Sequence, residues 1–212
     1  MLNSYDFSPI RKEFALTTDQ AEHFLRSRRS IRSYQDKVVE REKIAGLINI
    51  ARYAPTGTNS QQVGWVVVNS RTEVKKMAAM VIDLFRHMIA TKNPFAEKYR
   101  LADIVTAWES GIDIISRGAP SLVFVHAPKE YGLAQVDCAN SLSYLDLAAP
   151  SFGLGACWAV FFMVATAYWP PLQQALGLPE GHAAFGAMMV GYPKYKYHLL
   201  PPRNEAQITW KQ

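Results

Sequence analysis

Four short stretches of this chain combine residue types able to hold an anion or a flat polar ligand. The first is Arg28-Arg29-Ser30-Ile31-Arg32. Guanidinium groups grip phosphate bidentately, and a serine hydroxyl adds a further hydrogen bond. In an extended stretch, residues two apart share a face, so Ser30 and Arg32 can reach one anion together. The same residues also read as a solvated basic helix end favoured by the helix dipole. RNA binding is a third reading, weakened because no basic stripe with exposed aromatics runs through the rest of the chain. The second stretch is Pro55-Thr56-Gly57-Thr58-Asn59-Ser60-Gln61. Thr56, Asn59 and Gln61 offer donors and acceptors suited to a polar chain or a ring edge, and Gly57 permits close backbone approach. An ordinary turn is the simpler reading. The third is Gly153-Leu154-Gly155-Ala156-Cys157-Trp158, where two glycines near a tryptophan suggest backbone lying on something flat, or plain core packing. The fourth is Gly191-Tyr192-Pro193, followed by Arg203 behind Pro201-Pro202. An arginine in a proline-stiffened tail could be a second phosphate ligand, or an ordinary surface residue.

The elements that must position these residues follow from periodicity and breakers. Thr18 is expected to cap a helix running to about Arg28, and Ile31 to Tyr34 forms a short extended piece. Apolar residues at Ile44, Leu47, Ile48 and Ala51 predict a helix within Val39 to Ala54. Pro55 to Gln62 is turn-rich and reads as a loop. Trp65 to Val68 reads as a buried strand, and Arg71 to Ala90 as a helix. Thr91 to Thr106 mixes charge, Pro94 and aromatics, and is expected to leave the core as a possible lid. Trp108 to Ser116 is expected to be helical and Ser121 to His126 a strand. Val136 to Phe152 reads as an apolar helix, and Thr166 to Leu176 as another, interrupted by Pro170 and Pro171. Phe185 to Val190 is a strand, and Ile208 to Trp210 is strand-like. No GxGxxG or Walker loop follows a strand, so an α+β fold is preferred to a doubly wound dinucleotide fold.

Composition narrows the class. The 212 residues fit one domain, 1–212, with 1–17 as an N-terminal extension. At 49% hydrophobic and 19% charged, the chain is globular. The net charge of +5 suits nucleic acid, a membrane surface or an anionic small molecule. Cys138 and Cys157 have no zinc spacing, and no metal site is expected. Two lone cysteines point to a reducing cytoplasm. Met1 to Leu16 carries Asp6, Arg11, Lys12 and Glu13 and does not read as a signal peptide. Leu147 to Leu178 holds no charge, but glycines and prolines break it up. Helices buried in a core or subunit interface are expected there rather than a membrane span.

In combination and in this order, the stretches resemble the FMN-dependent nitroreductase family. That family has an early Arg-x-Ser-x-Arg/Lys element, a Pro-Ser/Thr-x-x-Asn-Ser-Gln loop, a late Gly-Leu-Gly-x-Cys-Trp element, and a Gly-Tyr-Pro turn before a basic residue. Arg28/Ser30/Arg32, Pro55 to Gln61, Gly153 to Trp158, and Gly191 to Pro193 with Arg203 match it, as does Gly118-Ala119-Pro120 before the Ser121 strand. The resemblance covers roughly Thr18 to Trp210. It implies a mixed, mainly antiparallel sheet wrapped by helices in an intertwined homodimer, with FMN at the interface and the C-terminal segment reaching across the partner.

By resemblance, Arg28, Arg29, Ser30, Arg32 and Arg203 belong to the phosphate and ribityl side of one chain. Pro55, Thr56, Gly57 and Asn59 come from the other, and the backbone near Trp158, Ala159 and Val160 lines the flavin ring. The implied activity is ping-pong electron transfer from NADH or NADPH to a small organic acceptor such as a nitroaromatic or quinone. Flavin N5 carries the chemistry, with no catalytic side chain. His87, His126, His182 and His198 read as structural or surface residues. Same-fold alternatives are reductive removal of a substituent such as a halogen, and flavin processing; a further alternative is flavin binding without turnover. Two departures stand out: Gln62 replaces a usual proline, and Val160-Phe161-Phe162 replaces small residues beside the ring.

Overall fold

The computed structural model describes residues 9–211. They fall into two compact units, one of residues 29–196 and one of the described parts of 1–28 and 197–212. In the smaller unit, α1 (Thr18–Ser27) starts one residue earlier than expected at its cap: Thr17 and Gln20 bond each other's backbone reciprocally, a complete capping box. A 3-10 turn covers Lys12–Phe14. Residues 197–211 hold no helix or strand, so the strand expected at Ile208 to Trp210 is not formed. The N-terminal reading falls partly on residues 1–8, outside the described residues.

The larger unit is a four-stranded antiparallel sheet between two helical layers. Its strands are β1 (Gly64–Val68), β2 (Ser121–Pro128), β3 (Gly155–Trp158) and β4 (His182–Gly191), in the order β1-β2-β4-β3. Its helices are α2 (Arg41–Ala51), α3 (Arg71–Ala90), α4 (Pro94–Lys98), α5 (Leu101–Glu109), α6 (Ala134–Ala148), α7 (Val160–Tyr168) and α8 (Pro170–Leu176). The two-residue period of the strands divides the core. Leu122, Phe124, Ala187, Met189 and Cys157 face α3, α5, α7 and α8, while Val123, Val125, Met188, Val190 and Ala156 face α2 and α6. No helix among the described residues is long and apolar enough to cross a membrane.

Three expectations change. Trp108 to Ser116 is not one helix: α5 ends at Glu109, and Asp113 instead accepts the Ser116 and Gly118 amides at 2.8 and 3.2 Å. A carboxylate caught by backbone donors makes a turn where apolar spacing suggested helix. The uncharged stretch becomes the end of α6, a 3-10 turn at Ala149–Phe152, β3, α7 and α8; β3 and the inward faces of α7 and α8 enter this chain's own core, while Val160 and Tyr168 stay exposed. The supposed excursion at 91–106 sends Leu101 and Val105 into the core, whereas 91–100 lies wholly at the surface apart from the half-buried Phe95 and Ala96.

Candidate functional site

The backbone of the Arg29–Arg32 run lies along β3. Ile31 N–H donates to the Ala156 carbonyl at 2.9 Å. The missing side chain of Gly155 makes room for Ile31: a Cβ there would stand 2.3 Å from Ile31 Cγ1. The Tyr34 hydroxyl donates back to the Ile31 carbonyl at 2.6 Å, and burial pushes its pKa upward. Tyr34 also bridges to Pro193, Gln35 N–H donates to the Tyr192 carbonyl at 2.9 Å, and Lys194 N–H to the Ser33 carbonyl at 3.0 Å. The arginine run, the Gly153–Trp158 element and the Gly191–Pro193 turn thus form one assembly.

Tyr192 anchors that assembly to α2. Its hydroxyl donates to Glu40 and accepts from Lys43 Nζ at 2.8 Å. The Tyr192 bond and the backbone together hold the Glu40 carboxyl down at about 2. Ser30 and Arg29 are half-buried, whereas Arg32 is exposed and has no salt-bridge partner among the described residues.

The Pro55–Gln61 loop is built elsewhere. It contains a 3-10 turn at Gly57–Asn59, and Thr58, Asn59 and Gln61 all have positive φ, at 52°, 55° and 51°. Non-glycine residues rarely adopt this region, and a β-branched threonine there is strained. Much of the loop's own polarity holds it together: Thr56 Oγ1 accepts the Gln61 amide at 3.2 Å, and Thr58 Oγ1 donates to the Gly57 carbonyl at 2.7 Å. The Asn59 carboxamide, by contrast, is exposed and takes part in no hydrogen bond among the described residues. Asn140 Nδ2 donates to the Pro55 carbonyl at 3.3 Å.

Two residues that the sequence reading passed over hold the loop, Asp137 from α6 and Tyr131 from the turn before it. The buried Asp137 carboxylate accepts the Gly57 amide with both oxygens at 3.1 Å, and the Tyr131 hydroxyl donates to it at 2.7 Å. Ser60 Oγ in turn donates to the Tyr131 hydroxyl at 3.0 Å. The available signal was a lone acid in the apolar start of α6.

At the third candidate face, Trp158 ends β3 and Val160 begins α7. Ala159 is buried and its N–H is committed to the Ala187 carbonyl at 2.9 Å, so it offers a ligand no donor. Phe161 and Phe162 turn inward, edge-on to Phe85 at 5.3 Å and to Phe124 at 6.1 Å. Only Val160 of that bulky trio is exposed. Helix geometry leaves the first-turn amides of α7 without intrahelical acceptors, at the positive end of its dipole.

The sheet keeps the arginine run and the loop apart in one chain. β1 and β3 are its two edges, separated by three strand spacings, or about 14 Å. The loop enters β1 at the Gly64–His126–Ala184 row, whereas Ile31 sits beside Ala156 on the Val190 row, roughly 20 Å further along the strands. Arg28 and Arg203 lie in the smaller unit, where Arg203 Nη1 donates to the Pro202 carbonyl at 2.8 Å. Near the loop's exit, His126 Nδ1 lies 2.9 Å from His182 Nδ1. Among the described residues, no cluster of three or more His, Cys, Asp or Glu is placed to hold a metal ion. An exposed cation beside a serine and the start of α7 beside Trp158 suit an anionic end and a flat head, and the open carboxamide suits a polar group, but the carboxamide does not meet the other two within one chain.

Comparison with known proteins gives this arrangement a family. A nitroreductase from Bacteroides fragilis, solved with bound FMN, superposes with a TM-score of 0.76 at 23% identity, covering 92% of this chain and 100% of that one. A nitroreductase from Desulfitobacterium hafniense, also with bound FMN, superposes at 0.71 with 24% identity, covering 90% and 97%. A protein of Archaeoglobus fulgidus, provisionally named an NADH dehydrogenase/NAD(P)H nitroreductase, is 25% identical over 174 residues, which is 79% of this chain and 82% of that one. The family model described as the Nitroreductase family matches residues 25–192, which is most of the chain, and the chain belongs to that family.

Proposed function

We propose that this protein binds FMN between two copies of the chain and passes electrons from NADH or NADPH to a small organic acceptor such as a nitroaromatic or quinone. The observation carrying this reading is the separation of the arginine run and the Pro55–Gln61 loop at opposite edges and ends of the sheet. In a two-fold dimer, the run of one chain can face the loop of the other. The exposed apolar side chains Leu133, Val136 and Tyr144 of the α6 region, with Ile50 and Tyr53 at the end of α2, suit such an interface.

Bound FMN supplies the redox chemistry, accepting and releasing a hydride equivalent. The protein binds and orients. Arg29, Ser30 and Arg32 take the phosphate and ribityl end, joined on the family resemblance by Arg28 and Arg203. Asn59, with Pro55, Thr56 and Gly57, comes from the partner chain. Trp158, Ala159 and Val160 line the ring, and the start of α7 favours negative charge where it develops. Donor and acceptor take turns at one open face beside Val160, and the exposed part of 91–100 selects among acceptors. Burial and then Asp137 push the Cys138 thiol up to about 12, so it stays protonated and inert in the cytoplasmic setting proposed for the protein.

Anaerobic titration of the purified protein tests the reading. A flavin spectrum that bleaches with NADH or NADPH and recovers with a nitro or quinone acceptor supports it. A spectrum that never bleaches makes the protein a flavin binder without turnover. Released FAD in place of FMN contradicts the cofactor assignment.

A further inference from the structure

The candidate cofactor loop is strained, yet it begins on a buried charge. Thr58, Asn59 and Gln61 are left-handed, and such residues persist only where their surroundings over-determine them. Those surroundings are visible. Asp137 is 2% exposed and therefore needs donors for its oxygens. It takes the Gly57 amide on both oxygens and the Tyr131 hydroxyl on Oδ2. Tyr131 accepts from Ser60, so the same pair holds the loop before and after Asn59. Gly57 fits because it has no side chain: a Cβ would stand 2.2 Å from Leu133 Cδ1 and 2.8 Å from the Tyr131 hydroxyl. Between the two anchors, Asn59 is left exposed with its carboxamide open.

We propose that Asp137 and Tyr131 are positioning residues for the cofactor site: a buried carboxylate–phenol clamp that fixes Gly57 and Ser60 and thereby presents the Asn59 carboxamide to the flavin. This rests on the FMN reading above. Neither residue touches the ligand; both act through Asn59.

The clamp is specific to the carboxylate. Asp137→Asn keeps the volume but turns one acceptor into a donor, so Tyr131 loses its 2.7 Å acceptor and can turn its hydroxyl only to the Gly57 carbonyl at the longer 3.3 Å. Tyr131→Phe removes the Ser60 anchor and one bond to Asp137, and is the milder variant should Asp137→Asn fold poorly. Amide exchange in the flavin-free protein reads the clamp directly. Both variants are expected to speed exchange at residues 57–61 roughly ten-fold or more, with β2 and β4 unchanged. Fluorescence titration with FMN reads the consequence, a loss of about ten- to hundred-fold in affinity for Asp137→Asn.

Asn59→Ala supplies the decisive background. If Asp137 acts through Asn59, the double variant binds FMN little worse than Asn59→Ala alone, whereas general destabilisation would add in full. Unchanged loop exchange in both variants overturns the clamp. Faster exchange with unchanged FMN affinity overturns the positioning role, as does full additivity with Asn59→Ala. Wild-type protein that takes up no FMN refutes the proposed function instead, and exchange then judges the clamp by itself.

Discussion

Gly155→Ala is a small change with a large expected effect on the anion end of the site. The new Cβ would lie 2.3 Å from Ile31 Cγ1, 2.8 Å from Ile31 Cβ and 3.1 Å from Pro193 Cγ. Carbon atoms pack at about 3.5–4.0 Å, so Ile31 must retreat by about 1 Å. It has little freedom to do so: it is buried, its N–H is held by Ala156 at 2.9 Å, and its carbonyl by Tyr34 at 2.6 Å. Overpacking costs about 1–3 kcal/mol, and losing the Ala156 bond adds about 1 kcal/mol. The expected destabilisation is therefore about 2–4 kcal/mol, within what a protein of typical stability survives. Ile31 lies between Ser30 and Arg32, so its displacement also moves the phosphate ligands. Losing one charge-assisted contact costs about 1.5–3 kcal/mol of binding, or ten- to hundred-fold in FMN affinity. Urea unfolding measures the first quantity and fluorescence titration the second. Gly132→Ala is the control: a Cβ there meets nothing within 4 Å, and stability should stay within about 0.5 kcal/mol. If Gly155→Ala unfolds like wild type and binds FMN equally well, then Ile31 does not fix the arginine run.

Three further outcomes are expected. Arg32→Ala, which breaks no ion pair among the described residues, should leave the unfolding midpoint in place while weakening FMN binding about ten- to hundred-fold; unchanged titration would remove Arg32 from the site. An Arg32→Glu chain and an Asn59→Ala chain, each poor alone, should complement in a mixed dimer, where one site collects both lesions and the other neither; roughly a quarter of all sites then recover after random mixing. A differently tagged heterodimer with no more bound FMN than its parents would refute the two-chain site. Burial first, and His182 second, hold the His126 pKa below its ordinary 6.5. The unfolded chain then protonates before the folded one, so stability present above about pH 6.5 is lost as pH falls toward the lowered value. Melting temperatures from about pH 7.5 to about pH 5 should show this acid loss in wild type and a flatter profile in His126→Gln; parallel profiles would count against it.

What the sequence disclosed depended on how local each cause is. α3 was legible end to end because Val74, Met77, Val81 and Phe85 repeat at helical spacing and Ser70 caps the start. β3 was not: Gly155-Ala156-Cys157-Trp158 is buried at its first three positions and shows no polar alternation, so it read only as a glycine-rich apolar stretch. The false helix at Trp108 to Ser116 followed apolar spacing that Asp113 overrides with bonds to backbone amides. At the site, the arginine run, the glycine element and the Gly-Tyr-Pro turn were each visible, and their convergence on one edge of the sheet is a product of strand order. Asp137 escaped notice because an acid near a helix start ordinarily faces water. The distant Gly57 amide and the Tyr131 hydroxyl explain its burial.

The left-handed stretch at Thr58, Asn59 and Gln61 also records a compromise. Glycine adopts that conformation freely, whereas a β-branched residue such as Thr58 pays on the order of 1 kcal/mol or more for it. Improvement of thermal tolerance alone would push Thr58 and Gln61 toward glycine. A chain that keeps threonine and glutamine there holds a conformation those side chains oppose, whereas asparagine tolerates it, and an Asn59→Gly protein should stay folded and be poorer at its task. The loop marks where engineering for robustness and engineering for activity part company.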